Sequence, residues 1–255
     1  MDLGLQGKRV VVTGGSKGIG RSICETYLRE GASVEFCARN PESVAATEKE
    51  FSALGSIKGT SVDVADGVEL AKWVNAAAQR MGGIDYAISN ASALANGASA
   101  ENWQKEFNVD IMGTQVLFDA TLPYLTEAAK ASGDAGIVVI SSVSAAETSA
   151  PNAYGAAKAA LIHIVKGLAR QQAPMKIRCN AVSPGTVCLK GGVWNMIEEN
   201  MPDVYSQAME RNPMGRMGTP QELADATVFL GSPKSTFTTG ANLVVDGGIT
   251  SRVNF

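Results

Sequence analysis

Histidine occurs once in the 255 residues and cysteine four times, and neither is grouped as a metal site or a nucleophilic triad requires. His163 stands in an Ala- and Leu-rich stretch with no triad partner near it, so its expected role is packing. Cys24, Cys37, Cys179 and Cys188 have no C-x-x-C spacing and no histidine or acid cluster beside them. That excludes a disulfide or zinc framework and predicts small buried thiols in a reducing compartment. An excess of one charge is lacking too: Lys plus Arg number 22 against 25 Asp plus Glu, which points away from nucleic acid and from anionic membranes. No apolar run approaches the ~18 residues that a spanning helix needs. The opening Met1-Asp2-Leu3-Gly4-Leu5-Gln6-Gly7-Lys8 has no apolar core of a secretory leader. A cytoplasmic chain with no metal is expected.

What the chain does have is alternation. Hydrophobic residues make up 45% and charged residues 18%, ordinary for a globular domain with a buried sheet. Short β-branched runs predict strands at Lys8–Thr13, Ser33–Ala38, Ile57–Val62, Ile84–Ile88, Ile137–Ile140, Lys176–Val182 and Ala241–Val245. Helical stretches separate them: to Glu30, Pro41–Leu54, Gly67–Met81, Glu101 to about Lys130 with a bend near Gly113 or Pro123, and from Tyr154 to Pro174. A further helix runs to Leu230, with Thr219 as N-cap and Pro220 at its first position. Repeated βα units without a linker predict one α/β domain over 1–255. Its expected core is a Rossmann-type doubly wound parallel sheet of about seven strands with helices on both faces. The stretch 187–217 breaks the pattern with Trp194, Met196, Met201 and Tyr205 among acids and glycines, and reads as a lid over a substrate pocket with an apolar wall.

Two stretches carry chemistry. The first strand runs straight into Gly14-Gly15-Ser16-Lys17-Gly18-Ile19-Gly20 and then a helix, the setting in which a glycine turn cradles a pyrophosphate. The second strand ends in Arg39-Asn40, with no acid for a ribose 2′-hydroxyl. Arg39 and Lys17 would attract a 2′-phosphate, which favours NADP over NAD. The other stretch is Ser142 to Lys158, at the carboxyl end of a strand, where ligand sites collect in such sheets. Tyr154 and Lys158 lie four residues apart, on one helix face. A fixed ammonium ~4 Å from a phenol, at an effective dielectric of ~20, favours the phenolate by roughly 4 kcal/mol, which would make Tyr154 usable as a general acid-base. Asn108, in the middle of the long helix, has below-average helix propensity and invites a functional explanation.

Thr13-Gly14-x-x-x-Gly18-x-Gly20, Asp63-Val64, Asn90-Ala91, Asn108, Ser142, Tyr154-x-x-x-Lys158, Asn180-x-x-x-Pro184-Gly185 and Asp246-Gly247-Gly248 occur in one order. In this the chain resembles the short-chain dehydrogenase/reductase family over nearly its whole length. The resemblance implies hydride transfer between a nicotinamide and a ketone or secondary alcohol, with Tyr154 as proton donor-acceptor. Lys158 would support the phenolate and hold the nicotinamide ribose, Ser142 would bond the substrate oxygen, and Asn108 would hold a relay water. Gly14, Ser16, Lys17, Gly18, Ile19 and Gly20 would line the pyrophosphate, Asp63 and Val64 would meet the adenine, and Asn90 would meet the nicotinamide half on its adenosine side. Pro184, Gly185 and Val187 would meet the nicotinamide.

Three features depart from the family pattern. Ser92 stands where a glycine is usual, Leu189 stands where a threonine contacts the carboxamide, and Glu127–Asp134 lacks the arginines that oppose an acidic carrier protein. A carrier-bound substrate is therefore discounted. The resemblance also implies a tetramer or dimer, built as is usual in the family on the helices that hold Asn108 and Tyr154. The small face Gly155, Ala156, Ala159 and Ala160 would allow that approach, with Phe255 docking on a neighbour. The alternative is a nucleotide sensor or scaffold without turnover. Joint retention of Asn108, Ser142, Tyr154 and Lys158 weighs against it.

Overall fold

The computed structural model describes residues 2–189 and 193–253. Strands β1 (Arg9–Thr13), β2 (Ser33–Ala38), β3 (Ile57–Ser61), β4 (Tyr86–Ser89), β5 (Ala135–Ile140), β6 (Ile177–Pro184) and β7 (Asn242–Val245) form one sheet in the order 3-2-1-4-5-6-7. Every pairing is parallel. The chain builds outward from β1 to β3, then crosses back to place β4 on the other side of β1. That reversal opens a crevice at the carboxyl ends of β1 and β4, the place where such sheets bind ligands.

Because helices cover both faces, the central strands read as continuous apolar runs; all six residues of β5 are buried. Alternate residues serve opposite layers. Val11, Ile137 and Val139 pack with Leu70, Trp73, Leu117 and Val165 of α3 (Gly67–Met81), α5 (Gly113–Ser132) and α6 (Ala153–Gln172). Val10, Val12, Val138 and Ile140 pack with Ile23, Tyr27, Val44 and Val228 of α1 (Gly18–Arg29), α2 (Pro41–Phe51) and α9 (Pro220–Leu230). Helix starts follow local chemistry: Asn40, Asp66, Asn152 and Thr219 each accept a first-turn N–H with their side chains.

The long helix expected over Glu101–Lys130 is present and runs unbroken from Ala100 to Ser132, with one widened turn inside it. It comprises α4 (Ala100–Glu106), a π-helical segment Phe107–Met112 and α5, and Pro123 sits inside α5. In the wide turn Gly113 N–H donates to Asn108 O, five residues back. Such insertions recur at functional sites, and this one carries Asp110 into the interior. Two short helices, α7 (Val193–Asn200) and α8 (Pro202–Glu210), precede α9. No helix among the described residues is long and apolar enough to cross a membrane.

Candidate active site

The carboxyl end of β5 delivers two serines. Ser141 Oγ donates to the carbonyl of Lys158 at 2.9 Å, fastening α6 to the strand. Ser142 is buried, and its Oγ accepts from the Ser144 N–H at 3.1 Å, closing a short turn over Val143–Ala145. Asn152 then starts α6 by accepting from the Tyr154 N–H at 3.0 Å. Tyr154 is half-buried, and Lys158, one turn on, has its Nζ 5.5 Å from the centre of the Tyr154 ring. Lys158 is 2% exposed. Its Nζ donates to the Ile140 carbonyl at 3.0 Å and pairs with Asp110 Oδ1 at 2.7 Å.

Asp110 was not among the residues singled out by sequence, whereas Asn108 was. The structure places the two differently: Asn108 is only half-buried, and its Oδ1 accepts from Gln104 Nε2 at 2.9 Å. Residues two apart point to different sides of a helix, so Asp110 turns inward to Lys158 while Asn108 turns towards Gln104. Asp110 Oδ2 accepts from the Ala93 N–H at 2.9 Å, and one turn earlier Glu106 Oε1 accepts from the Ala95 N–H at 2.5 Å. Burial first, and then the Asp110 carboxylate, push the Glu106 carboxyl up to about 7. A sequence signal existed, because two acids at i and i+4 on one helix repel. Nothing local said that Lys158 would stand opposite them.

On the other side of the crevice, the glycine turn is held by crowding. Gly14 has φ +70° and Gly18 φ +55°. A Cβ on Gly20 would lie 2.3 Å from Gly14 O and 2.4 Å from Asn90 Nδ2, so no other residue fits. Asn90 clamps the turn, donating from Nδ2 to Thr13 O at 3.0 Å and to Gly14 O at 3.2 Å, while its own N–H and that of Ala91 reach Thr13 Oγ1. Ser16 is buried and bonded to Ser43, and Ile19 is half-buried. At the start of α1, Lys17 is extended and provides no side-chain cap, so the first-turn N–H groups face the crevice uncapped.

Arg39 and Lys17 are exposed, whereas the Asn40 side chain is spent on capping α2. Asp63 is exposed and bonds its own turn through Ala65 N–H, beside buried Val64. Pro184 ends β6. A Cβ on Gly185 would meet Asp246 Cα at 2.7 Å, and Val187 bridges to Gly218. Leu189 reaches over the glycine turn, 3.2 Å from where a Gly18 Cβ would stand. In the Ala91–Gly97 loop positive φ falls at Leu94 and Gly97, not at Ser92. These features fit a dinucleotide: an uncapped helix start, a crowded glycine turn, and two cations, Lys17 in that turn and Arg39 at the tip of β2.

A cleft of about 870 Å³ is lined by Asn152 and Gly155, on either side of Tyr154 in the chain, and by Trp103, Ser144, Thr186 and Arg211, while Tyr154, Ser142 and Lys158 do not line it. The wall expected from Trp194, Met196, Met201 and Tyr205 is not its lining; Met196 and Met201 are exposed. The family model described as enoyl-(acyl carrier protein) reductase matches residues 14–250. The chain belongs to the short-chain dehydrogenase/reductase family.

Isoepoxydon dehydrogenase of Penicillium expansum is 39% identical over 255 residues, covering 96% of each chain. Among solved structures, L-sorbose reductase from Gluconobacter frateurii with NADPH and L-sorbose is 28% identical with a TM-score of 0.86, covering 99% of this chain and 100% of the other. A short-chain dehydrogenase from Burkholderia cenocepacia in complex with NADP is 28% identical with a TM-score of 0.86, over 96% and 98%. As a short-chain dehydrogenase/reductase with relatives of this kind, the protein is a nicotinamide-dependent oxidoreductase acting on alcohols and carbonyls.

Proposed function

We propose that the protein is an NADP(H)-preferring ketone reductase or alcohol dehydrogenase of small, hydroxylated carbonyl compounds, with Tyr154 as its general acid-base. The observation that carries this reading is the placement of Tyr154 over buried Lys158 at the carboxyl end of β5, across the crevice from an uncapped helix start. A nicotinamide dinucleotide bound there supplies the reducing equivalent.

The chain's own residues do the rest. Tyr154 gives a proton to the substrate oxygen in reduction and takes one in oxidation. Lys158 holds positive charge beside the phenol, and Ser142 orients the carbonyl oxygen. Gly14, Ser16, Lys17, Gly18, Ile19 and Gly20 take the pyrophosphate, and Asp63 and Val64 take the adenine. Asn90 shapes the turn, and Pro184, Gly185 and Val187 flank the nicotinamide. Arg39 and Lys17 take the 2′-phosphate; the relatives solved with NADP and NADPH support that preference.

The names isoepoxydon dehydrogenase and L-sorbose reductase favour a hydroxylated substrate, for which Ser144, Glu147, Asn152 and Arg211 supply polar groups in a cleft otherwise lined mainly by apolar residues. In this single domain the lid segment over 187–217, with α7 and α8, reaches the cleft at Arg211, just past the end of α8. Exposed Phe107 and Met112 support a homo-oligomer, dimer or tetramer, through the α4–α6 face; Trp103, Ala156 and Ala159 on that face also line the cleft, so a contact there closes one of its walls. Gly155 is small for another reason: a Cβ there would meet Ser144 O at 2.7 Å. The expected docking of Phe255 lies outside the described residues. Buried Cys24, Cys37 and Cys179 are consistent with the cell interior.

The test is NADPH and NADH oxidation over cyclic, aryl and polyhydroxylated ketones, with Tyr154→Phe beside the wild type. The variant should lose about 10²–10⁴ in kcat, the range of a direct general acid, while still binding NADPH. Tight NADPH binding without turnover in the wild type on any ketone or alcohol would refute the reductase reading.

A further inference from the structure

Every buried charge needs a partner, and the pocket behind Tyr154 holds two carboxyl groups against one ammonium. Asp110 is 1% exposed, Glu106 1% and Lys158 2%. Asp110 takes the ammonium at 2.7 Å. Glu106 shares its helix face one turn away, and its Oε2 is buried with no hydrogen-bond partner. A fully ionised trio would leave one buried negative charge unpaired. A single proton between the two carboxyls removes that charge and lets a hydroxyl bridge them.

We propose that Glu106 and Asp110 hold one proton between them and, through Lys158, recharge Tyr154 after each reduction. Glu106 and Asp110 touch neither substrate nor cofactor in this role; they act by positioning a proton. In the balance of one turnover, Tyr154 loses its proton to the product oxygen and becomes a phenolate. Lys158 gives up an N–H proton, which reaches that phenolate directly or over one bridging hydroxyl. The carboxyl pair restores the Lys158 ammonium and is left with two carboxylates, and solvent returns the proton through the Ala93–Ala95 loop. The electrons come from the nicotinamide dinucleotide. The kinetic part rests on the reductase reading above.

The groups that face Glu106 define its titration. Asp110 comes from the same helix and raises its affinity for a proton; Lys158 from α6 and the Ala95 N–H from the loop lower it. Burial and Asp110 outweigh both, so the shared proton leaves near neutrality rather than in the usual carboxyl range.

Glu106→Gln decides the matter, because a glutamine can still accept from Ala95 N–H and keep the loop in place but cannot release a proton. In the wild type, kcat for reduction should fall as pH rises through about 7. In the variant it should be about tenfold lower at pH 6, less than the loss of a direct general acid, and flat through neutrality, with KM unchanged. Infrared titration of the ligand-free wild type should show a protonated-carboxyl band at pH 6 that disappears by pH 8 and is absent from the variant. A variant whose pH profile superimposes on the wild type overturns the proposal, and so does a wild type without that band at pH 6. If no substrate turns over, the reductase reading fails separately, while the infrared titration still decides whether the proton is shared.

Discussion

Arg39 stands exposed at the tip of β2, and Lys17 stands exposed at the mouth of the glycine turn. A side chain on solvent contributes little to folding, so changing its charge should alter the ligand and leave the domain intact. Arg39→Glu should raise the NADPH Kd about tenfold or more while leaving NADH binding nearly unchanged, as an acid at this position suits a ribose hydroxyl and repels a phosphate. Equal weakening for both dinucleotides in a calorimetric titration would remove Arg39 from the preference. At the same scale, Glu106 and Asp110 differ in kind from Arg39, because each is buried and its charge must be answered inside the protein. Exposed Arg39 was legible from the chemistry of one strand end. The buried acids were not, because their meaning depends on Lys158, which arrives from another helix.

Among the elements, starts and stops are local and were easiest to read. Thr219 at the start of α9 forms the full capping box, accepting from Glu222 N–H while the Glu222 carboxylate accepts from Thr219 N–H. Thr219→Ala should cost about 1 kcal/mol of stability, read as a lower urea midpoint at unchanged slope. Because α9 packs on α1 on the far side of the sheet from α6, kcat should be unaffected. The element that resisted reading is the one through Asn108. Its composition is helical throughout, and no glycine or proline marks the widened turn at Phe107–Met112. Gly113 directly follows that turn and closes it through its N–H to Asn108 O, whereas Pro123 lies within α5. The insertion is explained by what it achieves, which is to bring the Asp110 side chain to Lys158 and its Oδ2 to Ala93 N–H.

Over the whole molecule, the order 3-2-1-4-5-6-7 sets the crevice between β1 and β4, and β5 brings the serines and α6 alongside it. The proposed assembly uses the exposed apolar surface of α4 and α6. Ala159→Arg places a charge on exposed small surface, so it should shift the light-scattering mass towards that of one chain, 26.5 kDa, without loss of fold by circular dichroism. An unchanged mass above one chain would move the contact elsewhere, and a wild type already at one chain would end the oligomer proposal.

Legible in the chain alone were the class of fold, the strands and the helices outside 187–217 to within a few residues, the glycine turn, and the Tyr154–Lys158 face. Each of these depends on periodicity, turn chemistry or spacing within about one helical turn. Only the tertiary structure decided which polar residue of the long helix meets Lys158. A widened turn changes the direction of every side chain within it, and the partner that rewards a direction lies in a distant part of the chain. Asp110 rather than Asn108 faces inward because the interior holds an ammonium for it, while Asn108 finds Gln104 on the outer side.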